Sequence, residues 1–469
     1  MLLRGNSIMT LRFAFAGFLL AAPATLMACT AQAEPVAFDH ARLIDGTGDP
    51  VRENVTVVIN DGRIVSIGDP APSGAEHVDL SGKTLLPALI SDHSHVGIIK
   101  GTSGSNENYT RANILAALKQ YSDYGVLTVT ALGLNRSPLF DDLRREQHAG
   151  KNPGADLFGV DQGIGAPNGA PPSAMVKGLG PDQVYRPTTP QEARQDVDRM
   201  VAEHTDLVKL WVDDFRNGVP NGKTLPKMSP DIYRAVIDEA HQHNTRVAVH
   251  IHDLDIAKAV VDAGANILAH GVRDQPVDQA LIDAVKAHGV WYIATLGLDE
   301  ANYLFAEHPE LLNVPFVAAA IDPALMAQLS DADWRKQTLS KPLVAASHTA
   351  LAINQKNLLT LYRAGVKVGF GTDSGAAPTR LPGFAEHREL ALTVEAGLTP
   401  LEAIHLATGN AAELLELEDR GVLKTGKRAD LLIVRGAPDQ SIADIDQVDQ
   451  VWQRGILVSH GPVVRHQGL

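Results

Sequence analysis

The regular alternation of strand-like and helix-like runs restricts the fold of this sequence more than any other feature. Short runs rich in apolar and β-branched residues take turns with longer amphipathic stretches. The strand-like runs are residues 84–90, 126–132, 155–160, 207–212, 246–250, 266–270, 290–294 and 366–371. Eight strands that are each followed by a helix are what a closed parallel barrel requires. We therefore predict an α/β protein built on a (β/α)8 TIM barrel.

An open, doubly wound sheet is the competing arrangement of the same elements. Such a sheet would need a glycine-rich phosphate-binding turn after its first strand, and the sequence has none there. The runs 207–212 and 290–294 are apolar almost throughout, as expected for strands that are covered on both faces. These observations favour the barrel.

Both ends of the chain are β-rich and differ from the central part. The start has strand-like runs between residues 38 and 67, with turns at Asp45-Gly46 and Asp61-Gly62, and the tail has three more such runs. We expect the two ends to pair into one small β-sandwich domain. The predicted organisation is residues 34–83 and 421–469 for that domain and residues 84–420 for the barrel.

The first 33 residues have the composition of an export signal. Arg4 and Arg12 precede an apolar run at residues 13–28, and Ala31-Gln32-Ala33 follows it. A basic start, an apolar stretch of this length and an A-x-A end describe a secretory signal peptide. A membrane anchor would also begin with an apolar run, but this run is short for a span of about 20 residues. We expect an exported protein that is periplasmic or associated with the cell envelope.

The single cysteine, Cys29, lies inside this segment, so the processed chain could form no internal disulfide. Leu26-Met27-Ala28-Cys29 also resembles a lipoprotein cleavage site, which would leave a lipid anchor on Cys29. We favour cleavage after Ala33. Beyond residue 33 no apolar run is long enough to span a bilayer.

The charge of the chain restricts its partners. A formal net charge of −14 argues against a nucleic-acid partner, which would require a basic face. We expect a small-molecule substrate, no nucleic acid and assembly into a homo-oligomer.

Residues of the kind that bind metals fall at the ends of the predicted strands. They are His93 and His95 after the first strand, Lys209 on the fourth, His250 and His270 at the ends of the fifth and sixth, and Asp373 after the eighth. Barrel enzymes keep their active sites at the carboxyl ends of the strands. Because side chains alternate along an extended strand, the H-x-H pair directs both imidazoles to one side.

Each of these residues has an ordinary structural explanation. A histidine at a strand end is commonly a satisfied polar residue, a buried lysine is normally paired with a carboxylate, and Asp373 could be a turn or helix-cap residue. The coincidence of four histidines, one aspartate and one lysine at strand ends of one barrel favours a metal site. Imidazole and carboxylate ligands together suit zinc, and manganese, iron, cobalt and nickel are also compatible.

The motifs at these positions resemble those of the amidohydrolase superfamily. They are PALISDHSH at residues 87–95, the strand-end residues His250 and His270, GTD at residues 371–373 and GVLKTGKRADL at residues 421–431. The resemblance covers nearly the whole processed chain, and the motifs occur in the expected order. Ala88 replaces a frequent glycine, a small departure.

The resemblance implies a binuclear metal site of the carboxylated-lysine type. His93, His95 and Asp373 would bind a first divalent ion, and His250 and His270 would bind a second. Lys209, in VKLW at residues 208–211, would bridge the two zinc ions as a carbamate. A water that bridges them would be acidified towards neutral pH. Asp373 could then take its proton and pass it to the leaving group.

The resemblance is to prolidase-like and imidazolonepropionase-like members of the superfamily. Members with a strand-four lysine and an export signal look like dipeptidases of the prolidase-related kind. We therefore predict an amidohydrolase that cleaves a peptide-like C–N bond in a small substrate such as a dipeptide or an N-acyl amino acid. Cyclic amides, lactones and carbamates are alternative substrate classes, because members of the superfamily share the metal site while their loops determine the substrate. The same scaffold could also carry a decarboxylase or an isomerase, or a binding protein that has lost the chemistry.

Two long loops and a few further residues complete the predicted site. The segments 161–190 and 296–347 follow the third and seventh strands, where loops form the mouth of a barrel. His252 is expected to point to the same side of its strand as His250, and it is a candidate either for supporting a metal ligand or for contact with the substrate. His348, His387 and Arg388 lie on or near helices, where a structural role is expected.

Overall fold

The computed structural model describes residues 34–172, 175–215 and 224–464. The predicted signal peptide, residues 1–33, lies outside the described residues. Among the helices of the described ranges, none combines the length and the apolar character that crossing a bilayer requires.

The strands are given in chain order. They are β1 (Val36–Leu43), β2 (Arg52–Asn60), β3 (Arg63–Ile67), β4 (Glu76–Asp79), β5 (Lys83–Pro87), β6 (Leu89–Ser94), β7 (Ile99–Lys100), β8 (Ser103–Gly104), β9 (Val126–Leu132), β10 (Asp156–Val160), β11 (Ile164–Gly165), β12 (Val208–Trp211), β13 (Val247–His250), β14 (Ile267–Ala269), β15 (Trp291–Ile293), β16 (Val368–Gly369), β17 (Leu431–Arg435), β18 (Val448–Gln453) and β19 (Ile456–Ser459).

The helices lie mainly between the strands of the central part. They are α1 (Arg111–Asp123), α2 (Leu139–His148), α3 (Pro190–Ala202), α4 (Pro230–Gln242), α5 (Leu254–Asp262), α6 (Gln279–His288), α7 (Gly297–Glu300), α8 (Leu304–Glu307), α9 (Pro315–Ala318), α10 (Pro323–Ser330), α11 (Ala332–Leu339), α12 (Pro342–Arg363), α13 (Phe384–Glu395), α14 (Pro400–His405) and α15 (Ala411–Leu414). Their ends follow local sequence signals. For example, the side chain of Asp278 caps the first turn of α6, and Gly289, with φ of 64°, ends that helix.

The central strands pair in parallel in two sets. One set has the order β10-β9-β6 and the other the order β11-β12-β13-β14-β15-β16. Backbone hydrogen bonds connect β6 to the chain after β16, from Asp92 N to Phe370 O (2.6 Å) and from Thr372 N to His93 O (3.0 Å). At the other seam, β10 and β11 follow each other along the chain, and Asp206 N donates to Gly159 O (3.1 Å) just before β12. The eight predicted strand positions are therefore joined in one hydrogen-bonded series, as in a (β/α)8 barrel.

The first predicted strand is in fact two strands that belong to different sheets. Residues 84–90 cover most of β5, which pairs with β1 and β17, and the start of β6, which pairs with β9. The chain changes sheets at Ala88, whose N–H donates to Asp430 O (3.0 Å). The structure thus extends the terminal sheet to Pro87, four residues beyond the predicted boundary.

The two ends of the chain form one eight-stranded sheet, as their β-rich composition predicts. Its order is β19-β18-β17-β5-β1-β2-β3, with β4 beside β1. Side chains of β5 alternate between two cores: Leu85 joins a core with Phe38 and Trp452, and Leu86 joins the core of the barrel. The rings of Phe38 and Trp452 meet edge to face at 5.1 Å. The predicted sandwich is therefore a continuous sheet with its own core on one face and the barrel on the other.

The two predicted mouth loops are partly ordered by their own contacts. In the first, the Arg186 guanidinium donates to four backbone carbonyls, those of Ala166, Gly169, Ala170 and Pro171. The second contains α7 to α11, and α12 begins at Pro342, inside the segment 296–347 that was predicted as a loop. This early start brings the first turns of α12 to the mouth of the barrel.

Candidate metal centre

All six predicted ligand residues lie around one cavity at the carboxyl ends of the central strands. This central cavity has a volume of about 240 Å³. His93 and Lys209 lie within β6 and β12, His250 ends β13, and His95, His270 and Asp373 follow β6, β14 and β16. Each of the six is at most 6% exposed. The fold therefore collects polar side chains from strands that are far apart in the sequence into one buried group.

Asp373 joins the first and last strands of the series through its carboxylate. Its Oδ1 atom lies 3.4 Å from His93 Nε2 and 3.0 Å from His95 Nε2, while Oδ2 accepts a hydrogen bond from Arg380. Asp373 has φ of 59°, an uncommon conformation for a non-glycine residue, and its N–H donates to His93 O (2.9 Å). The backbone strain places the carboxylate beside the H-x-H pair.

The charge state of Asp373 follows from its neighbours. Burial favours the neutral acid, but Arg380 and the two histidines outweigh it and hold the pKa of the Asp373 carboxyl well below its usual range. Asp373 is therefore an ionised carboxylate at neutral pH and presents Oδ1 to the histidines.

The four imidazoles form a compact group. The ring centres of His250 and His270 are 4.2 Å apart, and those of His93 and His270 are 4.5 Å apart. Thr295 Oγ1 lies 2.9 Å from His270 Nδ1, and Gly133 O lies 3.2 Å from His95 Nδ1, so hydrogen bonds at Nδ1 orient both rings.

Burial sets the charge state of two of these histidines, His93 and His270. It lowers the pKa of His93 and His270 well below 6.5, and the positive groups nearby act in the same direction. Both rings are therefore neutral at physiological pH. Neutral imidazole is the form that binds metals.

Lys209 is a buried lysine in the lining of the central cavity. It is 1% exposed, and its Nζ atom has no hydrogen-bond partner among the described residues. Burial lowers the pKa of its ammonium to about 7, although Asp373 and Asp213 oppose the shift. At neutral pH a large share of the amine is therefore unprotonated and nucleophilic.

Asp213 also borders the central cavity, and it was not predicted from the sequence. The residue is 2% exposed, and neither carboxylate oxygen has a hydrogen-bond partner in the described part of the chain. Its Oδ2 atom lies 3.4 Å from His250 Nε2. The available signal was its position directly after the predicted strand at 207–212, where the chain enters the mouth of a barrel. Arg380, seven positions after Asp373, was not predicted either.

The donor atoms of this group suit divalent transition metals. Ligand atoms of His93, His270 and Asp373 all lie within 4.8 Å of one another. Both ring nitrogens of His93 and the Nε2 atom of His250 have no hydrogen-bond partner within the described ranges. Buried polar atoms normally find partners, so a cluster of buried atoms without them fits a site for cations. Imidazole and carboxylate donors are those that zinc prefers.

The rest of the central cavity is mainly apolar with a few polar groups. Its apolar side is formed by Leu134, Met175, Trp211, Phe215, Leu298 and Leu343. Arg273, Asp299, Arg380 and His252 provide charged and polar groups in the same lining. The Arg273 guanidinium is held by the carbonyls of Ile251 (3.1 Å) and Gly271 (3.0 Å). The cavity therefore combines an apolar surface with fixed cationic groups.

His348, His387 and Arg388 lie outside the residues that line this cavity. His348 pairs with Glu307 (2.9 Å), and the ring of His387 hydrogen-bonds to Tyr124 O (2.8 Å) and Asp446 (2.9 Å). Arg388 pairs with Glu300 (2.7 Å). These are structural contacts, whereas His252 lines the cavity with its Nδ1 atom 2.7 Å from Asp253.

Comparison with known proteins relates both the sequence and the fold to hydrolases. A model of the amidohydrolase family matches residues 84–458. The ochratoxinase of Aspergillus niger is 23% identical over 471 residues, which cover 92% of this chain and 88% of the ochratoxinase. A crystal structure of a Xaa-Pro dipeptidase with bound methionine in the active site has a TM-score of 0.70 at 24% identity, covering 90% of this chain and 99% of that one. The crystal structure of phenylurea hydrolase B has a TM-score of 0.72 at 21% identity, and the match covers 92% of this chain and 100% of that one.

Proposed function

Given that the chain belongs to the amidohydrolase family and is a hydrolase of C–N bonds, we propose that it is an exported enzyme that cleaves a peptide-like amide bond in a small substrate. The observation that carries this proposal is the buried group around the central cavity: six residues with metal-binding side chains, several of them with donor atoms that have no partner among the described residues. Such a group is costly to bury unless cations compensate it.

We propose that the site binds two divalent ions, with zinc as the best match to the donors. His93, His95 and Asp373 would hold the first ion, His250 and His270 the second, and Lys209 would bridge them. When bound, the ions supply Lewis acidity, which acidifies water and polarises a carbonyl group. The low pKa of Lys209 supports carboxylation, because an unprotonated amine can add CO2 and release a proton to give a carbamate.

Asp373 is proposed to move the proton during hydrolysis. Its carboxylate is ionised, buried and directed at the cavity, so it can accept a proton from the attacking water. Returning that proton to the amine nitrogen completes the cleavage of the C–N bond. Hydrogen bonds from Arg380 and from its own N–H hold Asp373 in position for both transfers.

The lining of the central cavity supports a substrate with an apolar group and a carboxylate. Trp211 and Phe215 offer an aromatic surface to the apolar part. Arg380 and Arg273 offer guanidinium groups, which recognise carboxylates well. We therefore propose a dipeptide or an N-acyl amino acid with a bulky apolar side chain as the substrate class.

A substrate screen tests the proposed function. The zinc-loaded protein, residues 34–469, would be assayed with apolar dipeptides and N-acyl amino acids, with their carboxamide analogues, and with cyclic amides and lactones. We expect fastest turnover for the free carboxylates, with one atom of ¹⁸O from labelled water in the new carboxylate product. If the enzyme instead prefers a cyclic amide or a lactone, the proposed substrate class is wrong and that compound class takes its place. Turnover without incorporation of ¹⁸O would contradict hydrolysis and favour a decarboxylase or isomerase.

The proposed export rests on residues 1–33 and has its own test. We expect protein recovered from a bacterial periplasm or envelope to begin at Glu34 when its N-terminus is sequenced. A chain that begins at a lipid-modified Cys29 would change the processing route but retain export. An uncleaved chain in the cytoplasm would contradict export altogether.

A further inference from the structure

We propose that Asp213 is an additional metal ligand, which binds the second ion together with His250 and His270. This inference rests on the metal centre of the proposed function and adds a residue to it. The resemblance to the amidohydrolase superfamily assigns no role to Asp213.

Asp213 differs from the other two acidic residues of the cavity lining, and from its chain neighbour Asp214, in having no lysine or arginine partner at salt-bridge distance among the described residues. Asp373 is paired with Arg380, Asp299 lies 3.4 Å from Arg273, and the adjacent Asp214 lies 3.5 Å from Lys227. Asp213 is 2% exposed, and both of its oxygens lack hydrogen-bond partners within the same described ranges. An ionised carboxylate in such a place is strongly destabilising unless a cation neutralises it.

The position of Asp213 relative to His250 is that of two ligands of one ion. Two atoms that are each about 2.1 Å from a tetrahedral zinc ion lie about 3.4 Å apart. The distance from Asp213 Oδ2 to His250 Nε2 is 3.4 Å. The same 3.4 Å separates Asp373 Oδ1 from His93 Nε2, a pair assigned to the first ion. Each half of the site thus has one carboxylate at ligand distance from one histidine.

The strand register explains why Asp213 reaches His250. β12 and β13 are parallel neighbours, and Trp211 is paired with His250. Asp213 lies two residues after Trp211, the last residue of β12, and it lines the central cavity together with Trp211 and Lys209. Its carboxylate reaches His250, the last residue of the neighbouring strand β13. This short segment therefore supplies both a candidate bridging residue and a candidate ligand.

Charge balance also favours this assignment. Four neutral imidazoles contribute no charge, whereas Asp373 and a carboxylated Lys209 would contribute one negative charge each. Asp213 would contribute a third against the two divalent ions. Because the cavity is buried, the additional carboxylate stabilises the second ion more than it would in water.

The first test compares Asp213→Ala with Asp214→Ala, a matched change at the neighbouring buried acid. Alanine is used because asparagine would keep an oxygen that can coordinate a metal. We expect the wild type and Asp214→Ala to retain close to two zinc ions per chain after dialysis. We expect Asp213→Ala to retain close to one, with affinity for the second ion reduced by more than the ~10–100-fold typical of residues that only orient ligands. The metal-free Asp213→Ala protein should be about as thermally stable as the metal-free wild type, because Asp213 has no lysine or arginine at salt-bridge distance among the described residues.

A second pair of variants gives a direct spectroscopic readout. Asp213→Cys would place a thiolate, itself a good ligand, at the same position. After substitution with cobalt(II), we expect a near-ultraviolet thiolate-to-cobalt charge-transfer band for Asp213→Cys, but not for Asp214→Cys. This readout depends on coordination and not on turnover.

The outcomes separate this inference from the proposed function. Retention of two tightly bound zinc ions by Asp213→Ala, or a cobalt-loaded Asp213→Cys protein without the band, would overturn the role of Asp213 and leave the six-residue site intact. A wild-type protein that binds no transition metal would instead contradict the proposed function itself.

Discussion

Asp373 Oδ1 lies 3.0 Å from His95 Nε2, so residues that follow β16 and β6 meet at one point of the central cavity. Parallel strands that are neighbours in a barrel make this contact between distant parts of the sequence. The same contact links the candidate proton carrier to the H-x-H pair. Substitutions at and around it therefore probe both metal binding and proton transfer.

The first prediction separates the two roles assigned to Asp373. Asp373→Asn keeps an oxygen that can coordinate a metal but cannot accept a proton at neutral pH. We expect this variant to fold, to retain most of its metal and to lose at least ~10²-fold in turnover, because general acid–base transfer contributes about that much. Metal content and turnover would be measured on one working substrate.

Lys209→Ala is the control for Asp373→Asn. It removes the proposed bridge, so metal and activity should be lost together. Near-normal turnover of Asp373→Asn would mean that another residue moves the proton, and His252 is then the first candidate because it lines the same cavity.

A second prediction concerns Arg380 and the substrate carboxylate. Loss of a charge-assisted hydrogen bond costs about 1.5–3 kcal/mol, which corresponds to roughly 10–150-fold. We expect Arg380→Gln to lower kcat/KM by that factor for a substrate with a free carboxylate. The carboxamide analogue of the same substrate, which lacks the charge, should be affected less. Equal losses for the two substrates would show that Arg380 acts through Asp373 alone.

A third prediction follows from the pKa of Lys209, which burial lowers to about 7. Only the unprotonated amine reacts with CO2, and the addition releases a proton, so at a fixed concentration of CO2 carboxylation should increase as the pH rises through 7 and continue to increase above it. At a fixed concentration of dissolved ¹³CO2, the carbamate signal would be followed by ¹³C NMR in the metal-free protein, to which this pKa applies. A signal of the same size in Lys209→Ala, or a signal that falls as the pH rises, would refute the assignment.

A fourth prediction concerns Glu386, which lies behind the metal ligands. Its Oε1 atom accepts hydrogen bonds from the hydroxyls of Ser91 (3.1 Å), Thr372 (2.7 Å) and Ser374 (2.7 Å), and the last two flank Asp373. Glu386→Ala would leave these buried hydroxyls without this acceptor, so we expect the free energy of unfolding to fall by at least ~2 kcal/mol. Thermal and denaturant unfolding would measure the change.

Glu395→Ala is the matched control on the same helix, α13. Glu395 pairs with Arg388 near the surface, and its side chain is 52% exposed, so its loss should cost less than ~1 kcal/mol. A Glu386 variant no less stable than the Glu395 variant would show that the buried hydrogen bonds contribute little.

Much of this fold can be predicted from the spacing of apolar runs, because each central strand is short, buried and followed by a helix. The change of sheet at Ala88 could not be predicted in this way. β5 and β6 are both apolar and follow each other directly, so their periodicity shows one continuous strand. The early start of α12 had a local signal, since Pro342 occupies the first turn of the helix.

The candidate site could be predicted where a residue has the chemistry of a metal ligand and also ends a strand. Asp213 escaped prediction because Asp213-Asp214 resembles the start of a polar loop, and of the two acids Asp213 is the one that lines the cavity. Arg380 escaped prediction because its role depends on how the chain after Asp373 turns back. The segment between Asp373 and Arg380 forms no helix or strand, so no periodic sequence pattern marks a hydrogen bond between these two side chains.

The number of metal ions per chain tests the central claim most directly. We predict that elemental analysis of the purified protein, residues 34–469, gives close to two transition-metal ions per chain, because His93, His95, Lys209, His250, His270 and Asp373 surround one buried cavity. A firm value of one ion per chain that does not change on addition of zinc and bicarbonate would contradict the binuclear site.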